Sequence, residues 1–456
     1  MTKFYTVWAK KAGNYRDVTD EGHIWMYYDY DEPVEENRIK EYRDENNERI
    51  FPRAGDTVYT NSFTVSFAEA DANTLSLIGT RDGERCVGTF RNDTNPYTGL
   101  TGGYFVGGSY NGSKSISGNC VSGNDAARLF YICGSNTTLY SITLTADTIE
   151  VGNNYLIQSN ASSNGGRRSL YVTSQSIVFN GNGCLAGDFY QFGVVSINSP
   201  IIRLHGSGGL LHATAASTST TAITGNITSD DDASAYVFYY TFGAFRTTIN
   251  GSIDFSNSHC VLQNGAITNT QNAWSLVITG NVKTSNNTFI IQNTTSTLTF
   301  QGDVTAKWVL TGNVGSVVIL GELKQYGSRT IGSATSTIRI VGDIYLYGTS
   351  RICNTCSIQM TLEGDKLYFE DAPTPLGVLY GAFSVSDNWR VINGSTLNPL
   401  VTLSRMEFEN TDQYPAESNV KKDVTYAFGQ KVGTLEPVAV DSRNTINVYP
   451  YAKRVI

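Results

Sequence analysis

The sequence predicts an all-β chain built around a right-handed parallel β-helix, and three observations carry that prediction. One phrase recurs between residues 275 and 365, as SLVITGNV, STLTFQGDV, SVVILGEL, STIRIVGDI and SIQMTLEGD. Its glycines, Gly280, Gly302, Gly321, Gly342 and Gly364, fall 22, 19, 21 and 22 residues apart, a period that belongs to solenoids. Each copy also alternates at period two: in STIRIVGDI, Ile338 and Ile340 face one way while Thr337, Arg339 and Val341 face the other. Val, Ile, Thr and Phe fill these runs and suit a pleated, half-buried surface. The closing glycine is expected to take positive φ and turn a corner, with Asn, Asp, Glu or Ser after it as the corner's polar side chain. A leucine-rich repeat has a similar period but needs regularly placed leucines, which these copies lack.

The elements follow in order. Residues 1–55 form a charged, aromatic head: the first 56 residues carry 22 charged side chains, against nine in the 120 residues from 201 to 320. Within it, EENRIKEYRDENNERI (35–50) is expected to be a short helix, with Glu36 and Lys40 at a favourable i,i+4 spacing. The preceding WMYYDY (25–30) is expected to form a small core beneath that helix, to anchor a partner protein, or both. Residues 56–210 are expected to form an irregular part of the solenoid, opened by PRAGDTVYTNSFTVSF (52–67), which fits its first turn or cap. GSGGLLHATAASTSTTA (206–222) reads as a loop between turns. Residues 211–370 form the regular β-helix, with looser copies of the phrase at Gly225 and Gly251. VFNGNG at Gly181 lies 44 residues, or two periods, before Gly225, as if on the same corner. Residues 371–456 hold six of the ten prolines and are expected to be a separate small β domain with an extended tail.

Composition narrows the function. Net charge is −8 and no basic patch stands out, so no nucleic acid is expected as a partner. No apolar run approaches membrane-spanning length, so no membrane insertion is expected. MTKFYTVWAK lacks the apolar stretch of a signal peptide. Seven scattered cysteines do not make a disulfide framework.

Few residues invite chemistry. Asp230, Asp231 and Asp232 form the sharpest acidic cluster, with Asp254 about one turn later. Carboxylates on adjacent turns would suit glycan cleavage at separations of roughly 5–9.5 Å, and a solvated acidic loop is the plainer reading. Cys353 and Cys356 form a lone CxxC with no further ligands for zinc, read as two thiols at a corner. His23, His205, His212 and His259 show neither triad nor metal spacing. Asp303, Glu322, Asp343 and Asp365 follow the phrase glycines and are read as corner residues, since the calcium-binding nonapeptide is missing. YVFYYTFGAF (236–245) alternates poorly, so it is expected to be buried on both sides at a seam between subunits, with a sugar-stacking surface as the alternative. No catalytic residue, cofactor or metal ligand is assigned.

Two stretches resemble virion proteins of tailed bacteriophages, especially those infecting Bacteroidetes. PRAGDTVYTNSFTV (52–65) resembles their Pro-x-x-Gly-Asp-x-Val-Tyr-x-Asn opening, here Pro52, Gly55, Asp56, Val58, Tyr59 and Asn61. YPAESNVKKDVTYAFGQKVGTL (414–435) is similar to a segment near their ends, through Pro415, Val420-Lys421, Val424-Thr425-Tyr426 and Gly433-Thr434. It departs from that pattern with Asp423 before the second Val and with its glycine displaced to Gly429. Together the stretches cover about 36 of 456 residues, and neither is catalytic. The resemblance implies a structural virion protein: a β-helical head or tail fibre, spike or decoration. It also implies a homotrimer, with other virion proteins and a host-surface glycan or receptor as partners. The expected location is the virion, after synthesis in the host cytoplasm. A glycan-degrading tailspike on the same scaffold is the alternative.

Overall fold

The computed structural model describes residues 4–53, 55–66, 93–100, 140–160, 168–187, 192–213, 219–240, 245–267, 274–285, 289–307, 313–326 and 337–347, and beyond these a set of short strands between 74 and 432. It is an all-β parallel solenoid. The only helix among the described residues is one 3-10 turn, Glu35–Asn37. The chain forms two compact units, residues 1–279 with 289–291 and residues 280–288 with 292–456.

In the first unit, successive coils stack in parallel along two ribbons. One runs Thr57–Tyr59, Gly88–Arg91, Ser113–Ser122, Tyr140–Val151, Arg168–Phe179, Phe192–Leu204 and Ser219–Ser229. The other runs Thr64–Ser66, Tyr104–Gly107, Phe130–Cys133, Ile157–Asn160, Cys184–Gly187, Gly209–Ala213 and Tyr236–Tyr240. In-register pairing stacks like side chains into columns. Ile149, Ile177, Ile202, Ile227 and Ile253 form one such column inside the coil, and each is essentially inaccessible. Burying each of these side chains contributes about 1.5–3 kcal/mol. Their spacing is 28, 25, 25 and 26 residues, so these coils are longer than the period near 20 seen downstream. Gly181 lies against Gly152 and Gly206, whereas Gly225 lies against Ser199 and Gly251. The two glycines therefore sit on different corners, and their 44-residue separation does not mark a shared one.

In the second unit the alternation holds as expected. Thr337 and Arg339 point outward, while Ile338 and Ile340 are buried. Val282–Thr284, Val304–Ala306, Leu323–Tyr326, Ile344–Tyr347, Lys366–Glu370 and Arg390–Asn393 pair in parallel, one on the next. Neither residue 210 nor residue 370 interrupts the parallel pairing. The proline-rich segment thus begins with coils of the same solenoid. Of the C-terminal resemblance, the described part is an antiparallel pair, with Thr425 opposite Val432 and Tyr426 opposite Lys431.

The corner glycine works differently from the expectation. Gly225 has φ +137, but Gly251, Gly302, Gly321, Gly342 and Gly364 lie outside the left-handed region. What these five share is close approach. A Cβ on Gly321 would sit 2.5 Å from the carbonyl carbon of Gly302 and 2.6 Å from its oxygen. The polar residue after the glycine has a definite partner as well. Asn281 Oδ1 accepts the Asp303 N–H (2.9 Å) and Asp303 Oδ1 accepts the Glu322 N–H (2.8 Å). Asn153, Asn182 and Asn226 do the same for Asn182, Ser207 and Ser252 in the first unit. A short side chain ending in an acceptor oxygen thus pairs the backbone donor of the next coil where the strand ladder breaks, which leaves that donor satisfied.

Candidate functional site

The head is the end of the sheet rather than an appended piece. Thr6–Ala9 lies parallel to Thr57–Tyr59 and antiparallel to Trp25–Tyr28, which in turn pairs antiparallel with Ile39–Glu41. The expected helix over 35–50 does not form. The chain makes one 3-10 turn and then the strand Ile39–Glu41. Lys40, instead of meeting Glu36 along a helix, bridges Asp29 Oδ2 (2.9 Å) and Glu32 Oε2 (2.8 Å). The strand wins because it places Tyr42 beneath the sheet among Tyr5 and Tyr27, and buried aromatic area outweighs an exposed i,i+4 pair worth only about 0.3–0.5 kcal/mol. Trp8, Tyr15, Trp25 and Tyr42 are all buried, so the small core expected under a helix exists under strands.

The Pro-x-x-Gly-Asp opening forms the joint between this cap and the coils. Asp56 is fully buried. Its carboxylate accepts the Tyr42 hydroxyl, the Arg53 N–H (2.7 Å) and the Tyr5 N–H (3.0 Å), and its carbonyl accepts the Thr89 N–H of the next coil (2.8 Å). Arg53 donates to the Tyr42 oxygen (3.1 Å) and lies over the Tyr5 and Tyr42 rings. Burial raises the Asp56 carboxyl above its ordinary range, against the hydrogen bonds and the Arg53 charge that favour ionisation. Asn61, at φ +57, donates to the Ala9 carbonyl and accepts from the Thr98 hydroxyl. The motif therefore holds three segments together.

A second cluster gives the cap a pH response. His23 is buried, with Nε2 donating to the Ile50 carbonyl (3.0 Å) and a bare Nδ1 4.0 Å from Glu41. Burial first, then Lys10 and Arg49, hold its pKa below the ordinary 6.5, against the Ile50 carbonyl and Glu41. Glu41 is held down to about 2, chiefly by Lys10, with Arg43 and Arg49 adding to it. Both shifts act in the same direction. Above 6.5 the folded and unfolded chains leave His23 equally neutral; below it the unfolded chain gains a proton that the fold resists, so stability falls. Glu41 adds a second loss between 4.5 and about 2. Asp56 runs the opposite way, since a raised pKa favours the fold once protonated. Hydrogen-exchange protection of Trp25–Tyr28 is expected to decline from pH 7 to pH 5 in the native chain, with a flatter profile in His23→Gln. An equal decline in the variant would remove His23 from the account.

Facing outward from the cap, Tyr30 (65% exposed), Val34 (49%) and Ile39 (45%) are open to solvent on its charged edge. Tyr30 also meets Tyr28 and Tyr97 edge-on.

The chemistry candidates are mostly accounted for by structure. Asp230 is paired with Arg203 and with His205 Nδ1 (2.7 Å). Against the burial that opposes it, these partners keep its carboxyl below the ordinary range. Asp231 and Asp232 are exposed, as a solvated acidic turn requires. Asp254 Oδ1 accepts the N–H and the hydroxyl of Ser256, capping its own turn. Asp303 and Glu322 belong to the corner ladder. Asp343 occupies the same corner, its carbonyl accepting the Leu323 N–H, whereas Asp365 and Cys353 lie outside the described residues. Cys356 falls in the two-residue strand Thr355–Cys356. His259 donates its backbone N–H to Ala233, and His212 lies among tyrosine rings. Within YVFYYTFGAF, Tyr236, Val237 and Phe238 are buried by the chain itself. Among the described residues no group of His, Cys, Asp or Glu could hold a metal ion, and no helix is long and apolar enough to cross a membrane.

Comparison with known proteins returns no match to the chain, whether to a family model, a curated protein or a solved structure.

Proposed function

We propose that the chain is a structural virion protein of a tailed bacteriophage, a β-solenoid fibre, spike or decoration whose N-terminal cap attaches it to the particle. The observation that carries this reading is the cap. Its antiparallel strands end the parallel stack, its aromatic residues fill a core, and Tyr30, Val34 and Ile39 stay outside on an edge rich in charge. A solenoid end left bare would invite strand-on-strand growth. This end is covered, yet keeps an exposed apolar set of the kind that anchors interfaces. Trimeric assembly and contact with a host surface belong to the same proposal and rest on the resemblance of the two terminal stretches.

The test is gold labelling with antibody to this chain on particles of a phage that encodes it, beside particles assembled with Tyr30→Ser, Val34→Ser and Ile39→Ser together. The proposal expects label on native particles and about tenfold less on the variant, whose cap core is untouched. Unlabelled native particles would sink the virion assignment, and equal labelling of the variant would sink the docking role of this face. Removal of residues 1–55 is a poorer probe, because Trp8 and Trp25 belong to the cap's own core.

A further inference from the structure

The cap closes the parallel stack, but its own outermost strand keeps a free edge. Ile39–Glu41 pairs with Trp25–Tyr28 on one side, and among the described residues it has no partner strand on the other. Two hydrogen bonds fix which main-chain groups face outward. The Asp29 N–H donates to the Arg38 carbonyl (2.7 Å) and the Tyr42 N–H to the Trp25 carbonyl (2.9 Å). Antiparallel pairs alternate between bonded and unbonded residues, so Lys40, opposite Tyr27, is the bonded one between them. Ile39 and Glu41, opposite Tyr28 and Met26, therefore turn their N–H and C=O groups away from the sheet. Two donors and two acceptors line that edge, where Ile39 is exposed and Glu41 half-buried.

Charge selects what pairs there. Residues 29–48 hold nine carboxylates against three basic side chains. All three bases are engaged within the cap: Lys40 by Asp29 and Glu32, Arg43 by Glu41 (2.7 Å), and Arg38 by the Tyr28 hydroxyl and the Glu32 carbonyl. Glu36 lies just before the strand, and Glu45 and Glu48 just after it. All three are exposed, and none meets a base among the described residues. A second copy of this chain would bring the same excess of carboxylates to the edge, so like charge opposes self-pairing. Shortness and charge are the usual protection of an edge strand against its own kind, and this one has both.

We infer that this edge takes an extended basic segment of a partner protein as one added strand. Main-chain hydrogen bonds to Ile39 and Glu41 supply the affinity, and side chains supply the selection. Directly opposed residues of neighbouring strands share a face. A partner residue opposite Ile39 therefore lies on the face that holds Tyr28, and an apolar side chain suits it. The residue opposite Lys40 lies on the other face, where two carboxylates hold one ammonium, and lysine or arginine suits it. The fitting segment thus alternates apolar and basic residues. The inference deepens the attachment reading and rests on it for the source of the partner, a neighbouring protein of the particle.

Amide hydrogen exchange of the full chain tests it, read residue by residue with and without a synthetic peptide of alternating valine and lysine. In the free chain the Ile39 and Glu41 amides should exchange fast and those of Lys40 and Tyr42 slowly. The peptide should slow Ile39 and Glu41 by about tenfold and leave Lys40 and Tyr42 unchanged. Glu36→Lys combined with Glu45→Lys, both exposed, should weaken peptide binding by about tenfold. N-methylation of the peptide amides, which keeps every side chain and removes the donors, should abolish the protection. Glutamate in place of lysine should abolish it as well. Slow exchange of Ile39 and Glu41 in the free chain overturns the inference, because the edge is then already covered. So does a peptide that leaves both amides fast, an N-methylated or glutamate peptide that protects equally, or a charge reversal without effect. Peptide protection with no label on native particles would refute the attachment reading alone; label without peptide protection would refute the edge pairing alone.

Discussion

Replacing Asp56 with alanine is expected to release the cap while leaving most coils intact, at a cost of about 3–5 kcal/mol. The carboxylate has three donors converging on it, from Tyr42, Arg53 and Tyr5, all in a site closed to water. Alanine leaves two backbone N–H groups and a phenol without an acceptor, and strands the Arg53 guanidinium that lies over the Tyr5 and Tyr42 rings. The loss falls on the segments those donors belong to. Hydrogen-exchange protection should therefore disappear from Thr6–Ala9, Trp25–Tyr28 and Ile39–Glu41 and persist at Ile177 and Ile202. Asp56→Asn separates shape from chemistry: it keeps one acceptor oxygen but turns an NH2 toward groups that are themselves donors. Its cost should fall between the native chain and alanine. Alanine protection equal to native at Trp25–Tyr28 would show that the aromatic core alone holds the cap.

The second unit could be read almost directly from the sequence, and the first could not, for a physical reason. Between 275 and 365 each coil is short and ends in a glycine forced by close backbone contact, so the period shows as a repeated phrase. Upstream, the strands run to 10–13 residues and shift register near Ser117 and Asn198. A shift of that kind breaks period-two alternation. The Ile149–Ile253 column emerges only when coils of 25–28 residues are laid beside one another.

The candidate sites divide in the same way. The segment 35–50 looked helical because charge spacing is local information, whereas the decision was made by Tyr42 finding Tyr5 and Tyr27. Asp56 stands in the sequence only as one position of the Pro-x-x-Gly-Asp opening, since nothing near it announces that Tyr42 and Thr89 will enclose it. The poor alternation of YVFYYTFGAF agrees with the burial of three consecutive residues, Tyr236, Val237 and Phe238, while Tyr239 is half-buried. What makes room for the Tyr236 ring is Gly209, 27 residues earlier, and no local pattern connects them.

Gly321→Val should be the most damaging single change in the second unit, at about 3–5 kcal/mol. The added Cβ would meet the carbonyl carbon and oxygen of Gly302 at 2.5 and 2.6 Å and the Asp303 nitrogen at 2.7 Å. All three are backbone atoms, with no side-chain torsion to relieve the contact. The coils must then move apart at that corner. Separation breaks the hydrogen bond from Val304 N–H to the Glu322 carbonyl (2.8 Å) and that from Glu322 N–H to Asp303 Oδ1 (2.8 Å). Because each coil touches only its neighbours, disruption in mid-stack divides a cooperative array. A single unfolding transition should become two, with exchange protection lost first around Val304–Ala306 and Leu323–Tyr326. Asn281→Ala is the matched comparison, since it removes one acceptor from the same corner column without forcing coils apart, and should cost about 1 kcal/mol. Were the two variants to melt alike, the glycine would be a turn residue after all, replaceable at the ordinary cost of a corner, and the close-approach account of the repeated phrase would fall.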